Sequence, residues 1–600
     1  MATLLCSALF LATFCNLRIE VSVFLSAASI IVLLFVAAFC GVLLPFAWIL
    51  FIAAPLFGLV AVTRMIKARD LSVITPGFLT FVLCGIVHFT QTRTGAFASW
   101  DEFSHWGTVI KHIVSASSIY QNQVLYFADY PPAVALFAYL FQVPFGFSEA
   151  NAFFAAGILV LAATTVLTVH IPWRRAYIAV LTFAIVYLCS FIFGKGLATV
   201  LIDYILGSFF GATVSLYILM SRRDSTRAAL LCLAPVFALV LLKAAGFGLA
   251  LVVSTLIIVD RLVEGRSSSD GVRGLAVTIG PLVAAFVAQF AWRVVMIIGV
   301  YPSRTVSFDF FYPFRILLDP SINPERAKII ADFFQATAGA KPIIAAHGIT
   351  LPVALAGLVL IFAAVVLSAP KGRERHRSLA AILVVFFGLG FYLYGLLTTY
   401  LTNMSLFEAA QIGYFDRFVS VYLAGMILIA LAMLLVYTGE RVTLVALGAV
   451  LIVCLSVSPP ESKRYLQEGA RPMGAERRDV VERIRARIET LRRDSRVYII
   501  RQDSSGYPYW LARFELLPRP VNKSCWAISV APAEADMYTC RRSVEEWRAE
   551  LTSYDYALFV HTNEAFERDY AGMFDARINT IGTLYRVRIE EGQTSLALVQ

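Results

Sequence analysis

"PPAVALFAYLFQVPFG", residues 131–146, decides the fold. It is apolar enough to enter a bilayer, and whether it crosses fixes the side on which every later loop emerges. If it spanned fully, the basic "WRR" loop at 173–175 would lie outside the cell. Short basic loops stay cytoplasmic. We therefore read 131–146 as a re-entrant or interfacial helix that does not cross.

The chain around it is built for a membrane. Of its 600 residues, 59% are hydrophobic and 15% charged, against about 45–50% and about 25% in soluble domains. Apolar runs of about 17–25 residues, each long enough to cross as a helix, recur to about residue 458. The spacing predicts roughly 13 spans, near 21–40, 44–63, 72–90, 150–170, 176–193, 198–220, 228–243, 245–259, 275–299, 351–368, 378–400, 418–437 and 442–458. Residues 2–16 are too short to place by length. No separate cleavable signal stands out, so the spans themselves serve for targeting.

Charge sets the topology. The formal net charge is +10, and its basic clusters sit at "RMIKAR" (64–69), "WRR", "SRRDSTR" (221–227), "DRLVEGR" (260–266) and "KGRERHR" (371–377). With these inside, residues 91–149, 194–197, 301–350, 401–417 and everything past about 459 face the extracytoplasmic side. The expected domains are a membrane domain, 1–458, with large outer loops at 91–149 and 301–350, and an extracytoplasmic domain, 459–600. The latter shows a basic helix at about 476–493, a strand at 496–501, a helix near 543–551, the strand "YALFVH" (556–561), a helix near 564–574, and closing strands "GTLYRVRI" and "SLALVQ". Strands alternating with helices indicate a small α/β layer domain. It carries no Gly-rich phosphate loop.

Seven of the nine cysteines lie in apolar runs as small core fillers. The remaining two, Cys525 and Cys540, are a disulfide candidate in an oxidising compartment. No Cys or His spacing indicates zinc.

Four stretches carry chemistry. In "ASWDEFSHWGTVIKHI" (98–113), Ser99 and Glu102 have the spacing of a capping box. Stepping about 100° per residue, His105, Thr108 and His112 fall within about 40° of Asp101. Phe103, Trp106, Ile110 and Ile113 gather opposite, which predicts an amphipathic helix on the membrane surface with its aromatic face in lipid or on the bundle. Asp101 begins the polar stripe. Carboxylates favour helix starts, but one at membrane depth costs roughly 2.5–3.5 kcal/mol and points to function.

In "YFADYPPAVALF" (126–137), Asp129 and Tyr130 stand just before two prolines that fit a first helical turn; whether they face a substrate is open. In "GKGLATVLIDYILGSFFGA" (194–212), Lys195 lies in a short outer loop and Asp203 in the next span. Lys195 either pairs with Asp203 or meets an anionic headgroup while Asp203 lines a cavity. In "IGYFDRFVSVYL" (412–423), Arg417 stands at the outer mouth of a span, as an anchor or a two-pronged phosphate grip. Arg304, Arg315, Lys341 and Asp309 add outer-loop charge without a ranking.

Taken in order, these motifs resemble the GT-C superfamily of membrane glycosyltransferases, most of all the branch holding protein O-mannosyltransferases and lipid A aminoarabinose transferases. The matching features are "WDEFSHW" in the first large outer loop, "DYPPAVALF" downstream, "LIDYILGSFFGA", a late "DRF" opening a span, and the C-terminal α/β domain. The resemblance covers nearly all of the membrane part, through short and degenerate motifs. It implies that Asp101 is the catalytic base with Glu102 its neighbour, that Asp203 shapes the donor or acceptor site, and that Arg417 holds a carrier phosphate. His105, Asp129, Tyr130 and Lys195 join them as substrate-binding candidates. Two spans more than the family's usual one precede the acidic pair. Tyr130 stands where aminoarabinose transferases place a basic residue before their Pro-Pro, and Lys195 could substitute.

The implied activity is transfer of a hexosyl or pentosyl group, with inversion, from a polyprenyl-phosphate carrier to a hydroxyl of an envelope glycan, lipopolysaccharide or protein. The implied location is a bacterial inner membrane, with the active site and C-terminal domain toward the periplasm. No cofactor is required, although a divalent cation is compatible with the carboxylates; nucleic acid is not an implied partner. Two other classes share many of these features: a polysaccharide polymerase or O-antigen ligase, and a lipid-linked sugar transporter or flippase, for which intramembrane Asp203 and Lys243 also speak. Transporters often show repeats and matched broken helices, and the sequence shows neither.

Overall fold

The computed structural model describes residues 1–119, 124–265, 271–299, 309–489, 491–532, 536, 538–575, 582–590 and 593–599. Contacts divide the chain into two compact units: Met1–Arg93 with Asp129–Ala470, and Thr94–Ala128 with Arg471–Gln600.

The first unit is helical. Among the described residues, twelve helices are long and apolar enough to cross a membrane. They begin with Ile19–Phe39 and Leu43–Ala68 and end with Phe415–Tyr437 and Glu440–Val457. The remaining expected span, 72–90, is the 17-residue helix Pro76–Thr92, about 26 Å long and at the lower limit for crossing. Both the polytopic helical class and the sheet-containing C-terminal part expected from the sequence are present.

Contacts within this unit sort the loops between two ends. At one end the basic clusters meet. Arg377, from "KGRERHR", grips Asp260, from "DRLVEGR", through Nε (2.8 Å) and Nη2 (2.7 Å). The Nη2 also donates to Ser221 of "SRRDSTR" at 3.1 Å. Arg175 of "WRR" pairs with Glu440 at 2.7 Å, and Trp173 Nε1 donates to the Ile74 carbonyl. At the other end, His88 near the close of Pro76–Thr92 approaches the Phe153 carbonyl near the start of Glu149–Thr165. The chain between those two helices thus leaves and returns at one end.

The parity stretch forms helix Ala133–Gln142, ten residues long. At about 15 Å it is too short for a hydrocarbon core of about 30 Å. Its side chains, apart from the half-buried Phe141, are buried, so its neighbours are protein rather than lipid headgroups. Residues 460–468, expected in the outer domain, belong to the first unit: Pro460–Glu468 is an amphipathic helix whose buried Tyr465 meets His88 at 3.2 Å and lies 5.7 Å from the tilted Phe191 ring.

The second unit is built on a four-stranded sheet. Strand Val497–Arg501 runs parallel to Tyr556–His561, which pairs antiparallel with Thr583–Glu590, itself antiparallel to Gln593–Leu598. Helix Val544–Leu551 opens with a full capping box between Ser543 and Glu546. It buries Trp547 against Tyr498, Phe566 and Tyr570. A short parallel pair, Ala527–Ser529 with Thr539–Arg541, lies beside the disulfide joining Cys525 to Cys540, whose Cα atoms are 5.3 Å apart.

Candidate active site

In the first unit the site begins with glycine. Helix Ile202–Ser221 approaches helix Phe415–Tyr437 so closely that a Cβ on Gly207 would stand 2.3 Å from the Val421 carbonyl oxygen. One on Gly425 would stand 2.4 Å from the Phe210 ring. Small residues allow such backbone approach between membrane helices. This packing brings Asp203, in the first turn of one helix, to Arg417, in the first turn of the other. Arg417 Nε lies 2.5 Å from Asp203 Oδ2.

A second cation arrives through a break in the backbone. Lys243 is extended (φ −160°, ψ 158°) between helices Leu233–Leu242 and Ala245–Glu264. Its Nζ lies 2.5 Å from Asp203 Oδ1 and 5.2 Å from the Phe418 ring centroid. Tyr392 donates its hydroxyl proton to the Phe418 carbonyl at 2.9 Å. One buried carboxylate therefore holds two cations. The Asp203 side chain is 6% exposed, while Lys243 and Arg417 keep 16% and 29% of their surface open. A fixed, partly open cation pair suits an anion with several oxygens.

Asp203 does not pair with Lys195. Both of its oxygens are taken, and residues 194–201 are not helical, so no helical turn carries Lys195 to it. Lys195 is exposed. Asp129 and Tyr130 are half-buried before the buried Pro131 and Pro132. Arg315 pairs with Asp309, Lys341 donates to the Gln411 and Ile412 carbonyls, and Arg304 lies outside the described residues.

Asp101, Glu102 and His105 belong to the second unit. Residues Glu102–Trp106 form a π-turn leading into helix Gly107–Ala116. Glu102 is buried, and its Oε2 accepts from the Ala98 and Ser99 amides at 2.8 and 2.9 Å. That is half of the expected capping box; the Ser99 hydroxyl makes no hydrogen bond. Asp101 is half-buried. The half-buried His105 ring stacks on Phe127 at 3.8 Å, and its Nδ1 meets the Ser104 hydroxyl.

The stretch is not a surface helix with a face in lipid. Its aromatic side chains pack on helix Tyr507–Leu516 of the same unit. Phe103 lies 5.4 Å from Phe514, Trp100 lies 5.4 Å from Trp510, and Lys111 Nζ donates to the Phe514 carbonyl at 2.6 Å. The far half of the expected polar stripe, Thr108 and His112, is buried too, with His112 fully enclosed and both its ring nitrogens without hydrogen-bond partners. Burial lowers the His112 pKa from 6.5 to about 4. A histidine held neutral in the fold costs nothing above its unfolded pKa, and unfolding gains a proton below it. The expected result is that stability falls as pH drops from 6.5 toward 4, and that His112→Phe flattens this decline in thermal melts of the full chain. An unchanged slope would assign the acid sensitivity elsewhere.

Among the described residues, no group of three or more His, Cys, Asp or Glu side chains is placed to hold a metal ion. No protein-family model and no curated protein matches the chain. Among solved structures the chain is similar to ArnT from Cupriavidus metallidurans bound to undecaprenyl phosphate. The likeness has 14% identity, covers 76% of this chain and 86% of that one, and has a TM-score of 0.42. A likeness at that level assigns neither an activity nor a substrate to this chain.

Proposed function

We propose that the protein is an integral-membrane glycosyltransferase moving a sugar from a polyprenyl-phosphate carrier to a hydroxyl of an extracytoplasmic acceptor, with inversion. The observation that supports this most is the cation pair held on Asp203. It lies at the end of the first unit away from the basic loops, and short basic loops remain cytoplasmic. That rule supports reading that end as the outer one. There, Arg417 and Lys243 would grip the carrier phosphate and stabilise the charge growing on it as the sugar departs. Asp203 sets the distance between the two cations.

The base is Asp101. Glu102, its neighbour, accepts from the backbone amides of Ala98 and Ser99, which supports giving it a structural part and Asp101 the chemical one. Asp101 would take the proton from the acceptor hydroxyl as that oxygen attacks the anomeric carbon. His105, Asp129, Tyr130 and Lys195 remain candidate contacts to donor or acceptor. The reaction requires no cofactor.

The test is to incubate the purified full chain in detergent with a panel of polyprenyl-phosphate sugars and an acceptor extract, and to measure released polyprenyl phosphate. Release that depends on acceptor supports the reading; no release from any donor, with the protein folded, removes it. Arg417→Ala should raise the apparent KM for the lipid donor, with Arg417→Lys intermediate because it keeps the charge and loses the fork. An unchanged KM would reduce Arg417 to a structural partner of Asp203.

A further inference from the structure

Residues 310–318 present an apolar surface that the proposed reaction does not use. Helix Tyr312–Leu318 turns Pro313 and Ile316 inward, both buried. At about 100° per residue, Phe311, Phe314 and Leu318 fall within about 60° of one another on the opposite side. They are 63%, 49% and 86% exposed. An apolar face this open needs an occupant.

Its depth identifies that occupant. Phe310 and Phe314 pack on Tyr394 with ring centroids 4.9 and 5.3 Å away, and the Tyr394 hydroxyl donates to the Phe310 carbonyl. Tyr394 lies on Arg373–Thr402, a candidate membrane span. The rise along that helix from Arg377, in the basic end, to Tyr394 is about 26 Å, close to the thickness of a hydrocarbon core. Tyr394 therefore stands at the far membrane–water interface, where tyrosines concentrate. Phe391 and Phe387, one and two turns deeper on the same helix, are exposed as well, so the lipid-facing side of the span continues into the 310–318 face. The segment is also fixed at that level. Downstream, Arg326 donates to the Tyr400 carbonyl at 2.7 Å and to that of Met404 at 3.4 Å. Phe333 packs against Tyr400 and Phe415.

We infer that the face of Phe311, Phe314 and Leu318 is a bilayer-docking surface, inserted among the acyl chains of the leaflet at the Asp203 end. The inserted depth would be about 5–10 Å, as for other in-plane apolar faces. The inference stands independently of the glycosyltransferase reading, since it concerns lipid contact and not turnover.

The experiment places the photo-crosslinking residue p-benzoylphenylalanine at 311 or 318 in the full chain, with position 325 as control, in nanodiscs of phosphatidylethanolamine and phosphatidylglycerol. Glu325 is exposed beyond the apolar face. After illumination, mass spectrometry should find lipid adducts at 311 and 318 and none at 325. As a second reading, Leu318→Trp should add fluorescence over the wild type that acyl-brominated lipids quench, whereas the signal added by Glu325→Trp should not respond. Adducts to polypeptide at 318 would show that protein, such as a second copy, covers the face. Equal access of a water-borne quencher to both tryptophans would place the segment in water. Either result overturns the inference.

Discussion

Asp203→Ala is expected to destabilise the first unit by about 3–5 kcal/mol, the usual result of removing one partner from a buried ion pair. The effect should be large because the carboxylate serves two cations. Lys243 and Arg417 both reach it at 2.5 Å, and the substitution takes that partner from both at once. Neither can relax freely. Lys243 sits at a break between two helices, and Arg417 is in the first turn of a helix locked against its neighbour at Gly207 and Gly425. Heating the detergent-purified variant and following its monodisperse peak by size exclusion would read the loss. Adding Lys243→Met to Asp203→Ala should recover part of it, because one orphaned charge is replaced by an apolar side chain of similar length. Lys195→Ala, at an exposed position outside this cluster, should leave the transition where it is. A wild-type transition in Asp203→Ala would mean that water reaches the two cations, and that the carboxylate does not hold the cluster together.

How far such a cluster can be read from sequence depends on what brings its members together. The spans are legible because burial in lipid demands unbroken apolar length, and residues 131–146 could be set aside because the basic charge at 173–175 constrains their parity. Asp203 and Arg417 each declared themselves as charges in or beside an apolar run. Their pairing did not, since it depends on a close helix approach at glycines more than two hundred positions apart. Lys243 was visible as an intramembrane cation, but its role depends on a backbone break between two apolar helices that reads as continuous hydrophobicity.

The stretch 98–113 misled in a different way. Its apolar and polar faces follow helical periodicity, and periodicity does not reveal whether the apolar face meets lipid or protein. The missing partner was helix Tyr507–Leu516, "YPYWLARFEL". Proline in its first turn and apolar side chains at Trp510, Leu511 and Phe514 are a legible signal for it. The grouping of residues 94–128 with the C-terminal part follows from the same aromatic packing. A single cut near 458 could not express it, because the second unit is made from two separate pieces of chain.

Asp101→Asn is expected to lower transfer by about 10²–10⁴-fold, the usual worth of a positioned general base, with the protein still folded. The two halves of that statement come from different observations. The helix start at this point is capped by Glu102, which accepts from the Ala98 and Ser99 amides, whereas Asp101 makes no side-chain cap hydrogen bond to the helix start. Replacing Asp101 by the isosteric amide preserves the volume at a half-buried position and removes the basic oxygen. Glu102→Gln should behave in the opposite sense. It weakens a charge-assisted cap, costing about 1 kcal/mol of stability, and should spare turnover at temperatures where the variant stays folded. Comparable activity in Asp101→Asn and wild type, with Glu102→Gln the slower enzyme, would reverse the two assignments. The chemistry would then have to be sought at the carboxylate that the backbone already holds.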